Sequence, residues 1–226
     1  MTATMVEFGA NGDRAAGYLS LPAAGTGPGL LVLQEWWGLV DHIKRVADRF
    51  AQAGFVALAP DLYDGESTTS PDDAGRRLMA LDIARTAKKL AGAADYLLAH
   101  ARVAPKKVAA LGFCMGGQLA LFGGCEHPDR ICAVVDFYGV HPKVELRPER
   151  LSGPVLAHFG ERDEFVPPAT ANGLVATLQS AGARVQAHHY AAGHAFFNDA
   201  RPEAYDAPAA AQAWDRTLAF LRTALA

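Results

Sequence analysis

The segment Gly112-Phe113-Cys114-Met115-Gly116-Gly117 sets a cysteine midway between two glycines. The apolar run Val108-Ala109-Ala110-Leu111 precedes it and a helix-compatible run opening on Gln118-Leu119-Ala120 follows. A strand, a sharp Gly-x-Cys-x-Gly turn and a helix make a nucleophile elbow, with a thiol in place of the usual hydroxyl. The glycines leave room where the backbone crosses itself. The competing reading is a tight turn around an inert cysteine, since a free cysteine also behaves as a small hydrophobe. A thiol of pKa about 8.5 is only partly ionised at neutral pH, so a working nucleophile needs an adjacent base or cation.

Two later residues can supply that chemistry. Asp163, in Gly160-Glu161-Arg162-Asp163, follows an apolar strand-like run, and His194, in Gly193-His194-Ala195-Phe196, follows another. Of the eight histidines, only His194 is both preceded by glycine and set at a strand end after the acid. Asp163 would hold the imidazole tautomer and His194 would take the thiol proton. Asp163 alone could equally be a turn residue. An oxyanion would need two donors: the Met115 amide directly after the nucleophile, and the Trp36 amide in the loop after Leu30-Leu31-Val32-Leu33. That loop, Gln34-Glu35-Trp36-Trp37-Gly38, also carries a carboxylate beside two indoles. Desolvation penalises such a carboxylate, so Glu35 is expected to act in the site; capping the next helix or pairing with an arginine is the alternative. Trp36, Trp37, Tyr63 and Tyr138 could line the pocket, with core packing as the competing role for each and the favoured one for Trp37.

The elements that must position these residues alternate. A hairpin is expected over residues 1–22 around Asn11-Gly12-Asp13. Residues 23–29 read as a loop. Buried strands are expected at 30–33, 55–60, 107–111, 133–139, 155–160 and 184–190. Helices are expected at 40–53, as a pair within 71–100, after the elbow, at 168–181 and at 205–224. Val103 and Pro105 are read as ending the second helix of that pair. Alternation of this kind gives one α/β domain over 1–226, a mostly parallel sheet covered by helices on both faces, with no large lid domain. Ligands then bind beyond the carboxyl ends of the strands.

Composition narrows the function. A formal net charge of -3 leaves no basic footprint for nucleic acid or anionic membrane. No apolar run approaches the ~20 residues of a membrane span, and the first residues lack a signal peptide pattern. Cys114, Cys125 and Cys132 form neither a disulfide framework nor a Cys-x-x-Cys pair, which suits a reducing cytoplasm. No metal site is expected.

These motifs, in this order, resemble the dienelactone hydrolase family of α/β-hydrolases. The resemblance rests on Gln34-Glu35-Trp36-Trp37-Gly38, Ala59-Pro60-Asp61-Leu62-Tyr63, Gly112 to Gly117, Gly160 to Asp163 with Val166-Pro167, and Gly193 to Phe196. It implies an α/β-hydrolase fold, a Cys114–His194–Asp163 triad, no cofactor, and hydrolysis of a small ester or lactone through an acyl-thioester. It also implies that Glu35 contacts the resting thiol and takes part in its activation. The family binds a substrate carboxylate with arginines. Arg76 or Arg77 lies near one such position, but the other, four residues after the histidine, is Asn198, with Arg201 three residues beyond. Asparagine lacks the charged fork of an arginine, so the substrate is expected to differ from dienelactone. A carboxylesterase, a thioesterase, or a redox-sensing homologue without catalysis are the alternatives. The sequence leaves open a monomer or a small homo-oligomer.

Overall fold

The structure, a computed structural model, describes residues 2–139 and 141–226. Its strands are β1 (Thr2–Gly9), β2 (Arg14–Leu21), β3 (Gly27–Leu33), β4 (Val56–Pro60), β5 (Val103–Phe113), β6 (Ile131–Phe137), β7 (Val155–Gly160) and β8 (Val185–Tyr190). Its helices are α1 (Asp41–Gln52), α2 (Pro71–Ala80), α3 (Ile83–Ala99), α4 (Met115–Glu126), α5 (Pro168–Ser180) and α6 (Ala207–Ala224). The strands form one sheet in the order β1-β2-β4-β3-β5-β6-β7-β8. β1, β2 and β4 meet antiparallel, and from β4 to β8 every neighbour is parallel.

The expected hairpin is β1–β2, and Asn11 and Gly12 take the positive φ angles its tight turn needs. The helical pair within 71–100 is α2 and α3, each capped by a short polar side chain. Ser70 accepts from the Asp73 amide at 3.4 Å and Asp82 from the Arg85 amide at 2.9 Å. Two boundaries differ from expectation by more than two residues. Residues 27–29 belong to β3, because a side chain at Gly29 would meet Val108 at 2.8 Å and only a glycine strand can lie that close. Val103 and Pro105 open β5 instead of ending a helix; a proline is tolerated where a strand begins.

Side-chain alternation along the strands divides the core into two layers. Leu30, Val32, Ala57, Leu111 and Val135 pack beneath α1 and α6. Leu31, Leu33, Leu58, Ala110 and Val134 pack beneath α3 and α4. The chain runs outward from β3 to β4, then returns to lay β5 on the other side of β3. This reversal opens a crevice at the carboxyl ends of β3 and β5, where Leu33 pairs with Gly112. It brings the Glu35 loop beside Cys114. Among the described residues no helix is long and apolar enough to cross a membrane.

Candidate active site

Cys114 sits between β5 and α4 with φ 53° and ψ −119°, a left-handed conformation strained for any residue but glycine. Its amide donates to the Phe137 carbonyl at 2.9 Å, tying the turn to β6. Both flanking glycines are required by contact. A Cβ on Gly112 would lie 2.0 Å from the Gly116 carbonyl oxygen, and one on Gly116 would lie 2.5 Å from the carbonyl oxygens of Leu33 and Gln34. Burial pushes the Cys114 thiol well above its ordinary pKa, and the Glu35 carboxylate adds to this; the Met115 amide pulls the other way.

The loops after β7 and β8 are laced together. Glu161 donates to the Tyr190 carbonyl at 2.8 Å and Arg162 to that of Ala192 at 3.0 Å. Asp163, buried on the first loop, uses both carboxylate oxygens. Oδ1 accepts from the Phe165 and Val166 amides at 2.8 Å each, while Oδ2 meets His194 Nδ1 at 2.8 Å. Asp163 is thus a turn residue and a partner of the histidine at once. His194 is held between the rings of Tyr138 and Phe165, 5.0 and 4.9 Å away by centroid. Its Nε2 is buried and has no hydrogen-bond partner.

Glu35 is 2% exposed. Its Oε2 accepts from Asn198 Nδ2 at 2.6 Å, and its Oε1 has no partner. Burial raises its pKa, opposed by Asn198, His194, Arg201 and Tyr138 in falling order. Neither structural alternative for Glu35 holds among the described residues: α1 has no side-chain cap, and no arginine forms an ion pair with Glu35. Asn198 Oδ1 accepts from the Ala200 amide at 3.0 Å, which turns the side-chain NH2 toward Glu35.

A cavity of about 70 Å³ is lined by Glu35, Trp36, Cys114, Phe165, His194 and Arg201, together with Trp37, Leu78 and Ala195. It brings together the nucleophile, histidine and glutamate expected from sequence, with Asp163 one bond behind. Arg201 is its guanidinium, half-exposed, 5.2 Å from the centroid of the Trp37 ring and 2.8 Å from Glu203 Oε1. The other arginines are elsewhere. Arg77 is paired with Asp73 at 2.8 Å and with Glu66, and Arg76 extends into solvent beside Asp73. α2 presents Leu78 to the cavity in their stead. Asn198 is buried behind Glu35 and does not line the cavity. Tyr63 packs below the elbow with its hydroxyl 3.3 Å from Met115 Sδ, and Tyr138 is wholly buried with its hydroxyl unpartnered. The sequence reading omitted Phe165 and Leu78. Phe165, 60% exposed beside Val166-Pro167, carries a signal only in hindsight of the Asp163 turn. Among the described residues no group of three or more His, Cys, Asp or Glu side chains is placed to hold a metal ion.

The Dienelactone hydrolase family model matches residues 15–225. Protein usf of Aquifex pyrophilus is 38% identical over 225 residues, covering 96% of this chain and 97% of its own. A carboxymethylenebutenolidase from a Pseudomonas species is 34% identical over 220 residues, covering 93% of this chain and 91% of its own. Among solved structures, a dienelactone hydrolase-like promiscuous phosphotriesterase from metagenomic libraries superposes with a TM-score of 0.88 at 26% identity, covering 100% of this chain and 99% of its own. With the family model matching nearly the whole chain and a carboxymethylenebutenolidase 34% identical along most of its length, the chain belongs to the dienelactone hydrolase family and is a hydrolase acting on ester bonds.

Proposed function

We propose that this protein hydrolyses small esters or lactones with Cys114 as nucleophile, His194 as base and Asp163 as the group that orients His194. The observation that carries this is the free, buried Nε2 of His194, which shares a small cavity with the thiol while Nδ1 is held by Asp163.

In the resting arrangement no hydrogen bond joins the Cys114 sulfur to His194 among the described residues. Glu35 is the carboxylate that bears most on the thiol. The thiol therefore rests protonated. When an ester fills the cavity, the thiol proton passes to His194, and Glu35 assists as the thiol leaves its side. The thiolate attacks the carbonyl carbon and the C=O electron pair becomes an oxyanion, held by the Met115 and Trp36 amides. Collapse expels the alkoxide, which takes the proton from His194, and leaves an acyl-thioester. Water attacks this in turn; His194 takes a water proton, and the acid departs as the thiol re-forms. Asp163 stabilises the imidazolium in both halves.

The cavity suits a small acyl group, with apolar walls from Trp36, Leu78 and Phe165 and one cation, Arg201. An ester or lactone bearing an acidic group fits that combination. A redox-sensing role is disfavoured, because sensor thiols are exposed and of low pKa whereas this one is partly buried and pushed up. The test is stopped-flow hydrolysis of p-nitrophenyl acetate and of dienelactone by wild type and Cys114→Ala. A burst with wild type and none with the variant is expected; full activity of Cys114→Ala would overturn the assignment.

A further inference from the structure

A second carboxyl group lies under the elbow. Asp136 is on β6, in register with Gly112 of β5, one residue before the Phe137 carbonyl that accepts the Cys114 amide. It is completely buried and neither of its oxygens has a hydrogen-bond partner. Its carboxyl fills a notch made by two glycines: a Cβ on Gly117 of α4, or on Gly139 after β6, would lie 2.2 Å from its Oδ1. An unpaired buried carboxyl destabilises a fold, so room made for one beneath a nucleophile is an unusual use of a core position.

Its surroundings carry no compensating charge. Among the described residues no Lys, Arg or His side chain acts on Asp136, and the Gly139 amide favours its ionised form without meeting it in hydrogen-bonding geometry. His158 of β7 lies on the opposite face of the sheet against Phe137, 4.4 Å by ring centroid. His141, in the loop beyond Gly139, is governed by its own burial and by the Leu78 carbonyl. From α4, the residue against Asp136 is the uncharged Gly117. Cys114 feels Asp136: its thiol is pushed up by burial and by Glu35 first, then by Asp163 and, least, by Asp136. Burial raises the Asp136 carboxyl to about 7.

We propose that Asp136 is a positioning residue for Cys114: uncharged in mildly acidic solution, it becomes a buried negative charge beneath the elbow as the solution turns alkaline and then opposes formation of the thiolate. This rests on Cys114 being the group whose ionisation matters, and it predicts a pH dependence that mere packing would not give.

The test reads the thiol directly and needs no hydrolysis. Cys114 is alkylated with iodoacetamide between about pH 5 and pH 10 in wild type, Asp136→Asn and Asp136→Ser, and the Cys114 peptide is quantified by mass spectrometry. Below about pH 6 the three proteins should react alike. Above about pH 8 both variants should react about threefold faster or more, a shift of roughly half a pKa unit or greater. Superimposable profiles would overturn the proposal, as would failure of both variants to fold, which would make Asp136 a structural residue. Loss of ester hydrolysis on Cys114→Ala is a separate measurement, so an error in the nucleophile assignment and an error in the role of Asp136 are told apart.

Discussion

Asn198 donates to Glu35 at 2.6 Å, and both side chains are 2% exposed, so the glutamate of the site is held by a neutral amide at the position where the family resemblance implies an arginine. The amide partly offsets the desolvation of the carboxylate without neutralising it. The loop that carries Asn198 is fixed in turn, since Asp199 meets the buried His42 at 3.1 Å and Arg45 at 3.2 Å on α1.

Removing that amide should therefore act on both stability and pH dependence. Asn198→Ala leaves a buried carboxylate short of its donor and should cost about 1–3 kcal/mol, read by denaturant unfolding. The bond favours the ionised form, so its loss raises the Glu35 pKa further. The acid limb of kcat/KM should move to higher pH in this variant. An unmoved limb would mean that Glu35 does not act as a carboxylate.

Glu35→Gln separates two effects of one charge. The charge pushes the Cys114 thiol up, so its removal should make the resting thiol more acidic and faster to alkylate. Acylation by substrate should nonetheless slow by about tenfold or more in single-turnover kinetics, because the group that assists deprotonation is gone. Equal acylation rates in variant and wild type would remove Glu35 from the mechanism.

The elbow was legible because sterics leave few ways to build it. Gly112 and Gly116 must be glycine where backbone meets backbone at 2.0 and 2.5 Å, so their spacing around Cys114 carries structure in the residue types themselves. Asp163 and His194 were legible through their place after strands. The role of Asn198 was not, since it depends on a loop folding back to a residue far away in the chain. Arg76 and Arg77 look like substrate candidates in sequence because it cannot show that Asp73 and Glu66 already engage the Arg77 guanidinium. Asp136 was hidden for the opposite reason: in an apolar strand a lone aspartate reads as a strand end, and nothing in its neighbours announces that two glycines make room for it.

Arg201 is the cation of the cavity, and its effect should depend on substrate charge. Arg201→Gln should raise KM for esters bearing a carboxylate by about tenfold to a hundredfold, the worth of a lost charged hydrogen bond. Neutral acetate esters should be hydrolysed almost as before. Arg201→Lys should restore little, because a lysine lacks the planar fork that stacks on Trp37 and grips a carboxylate. Equal losses on charged and neutral esters would show that Arg201 shapes the cavity without reading charge.

His158 offers a test of the fold away from the chemistry. Its ring is completely buried on β7, with Nδ1 at 2.8 Å from the Tyr190 hydroxyl and Nε2 at 3.0 Å from Thr217 Oγ1. Burial holds its pKa well below the ordinary 6.5, and the charges of His188 and Arg216 add to this. The folded protein keeps His158 neutral while the unfolded chain binds a proton near pH 6.5, so the unfolded state carries more protons in acid. Stability from this group is therefore complete above about pH 6.5 and declines as pH falls, by up to about 1.4 kcal/mol for each further pH unit until the folded pKa is reached. Unfolding free energy measured between about pH 5 and pH 8 should show that slope in wild type. His158→Gln cannot titrate; it should be less stable at pH 8, where it loses packing and the Tyr190–Thr217 bridge, yet show a flatter acid decline. An equally steep decline in the variant would place the acid sensitivity at other groups.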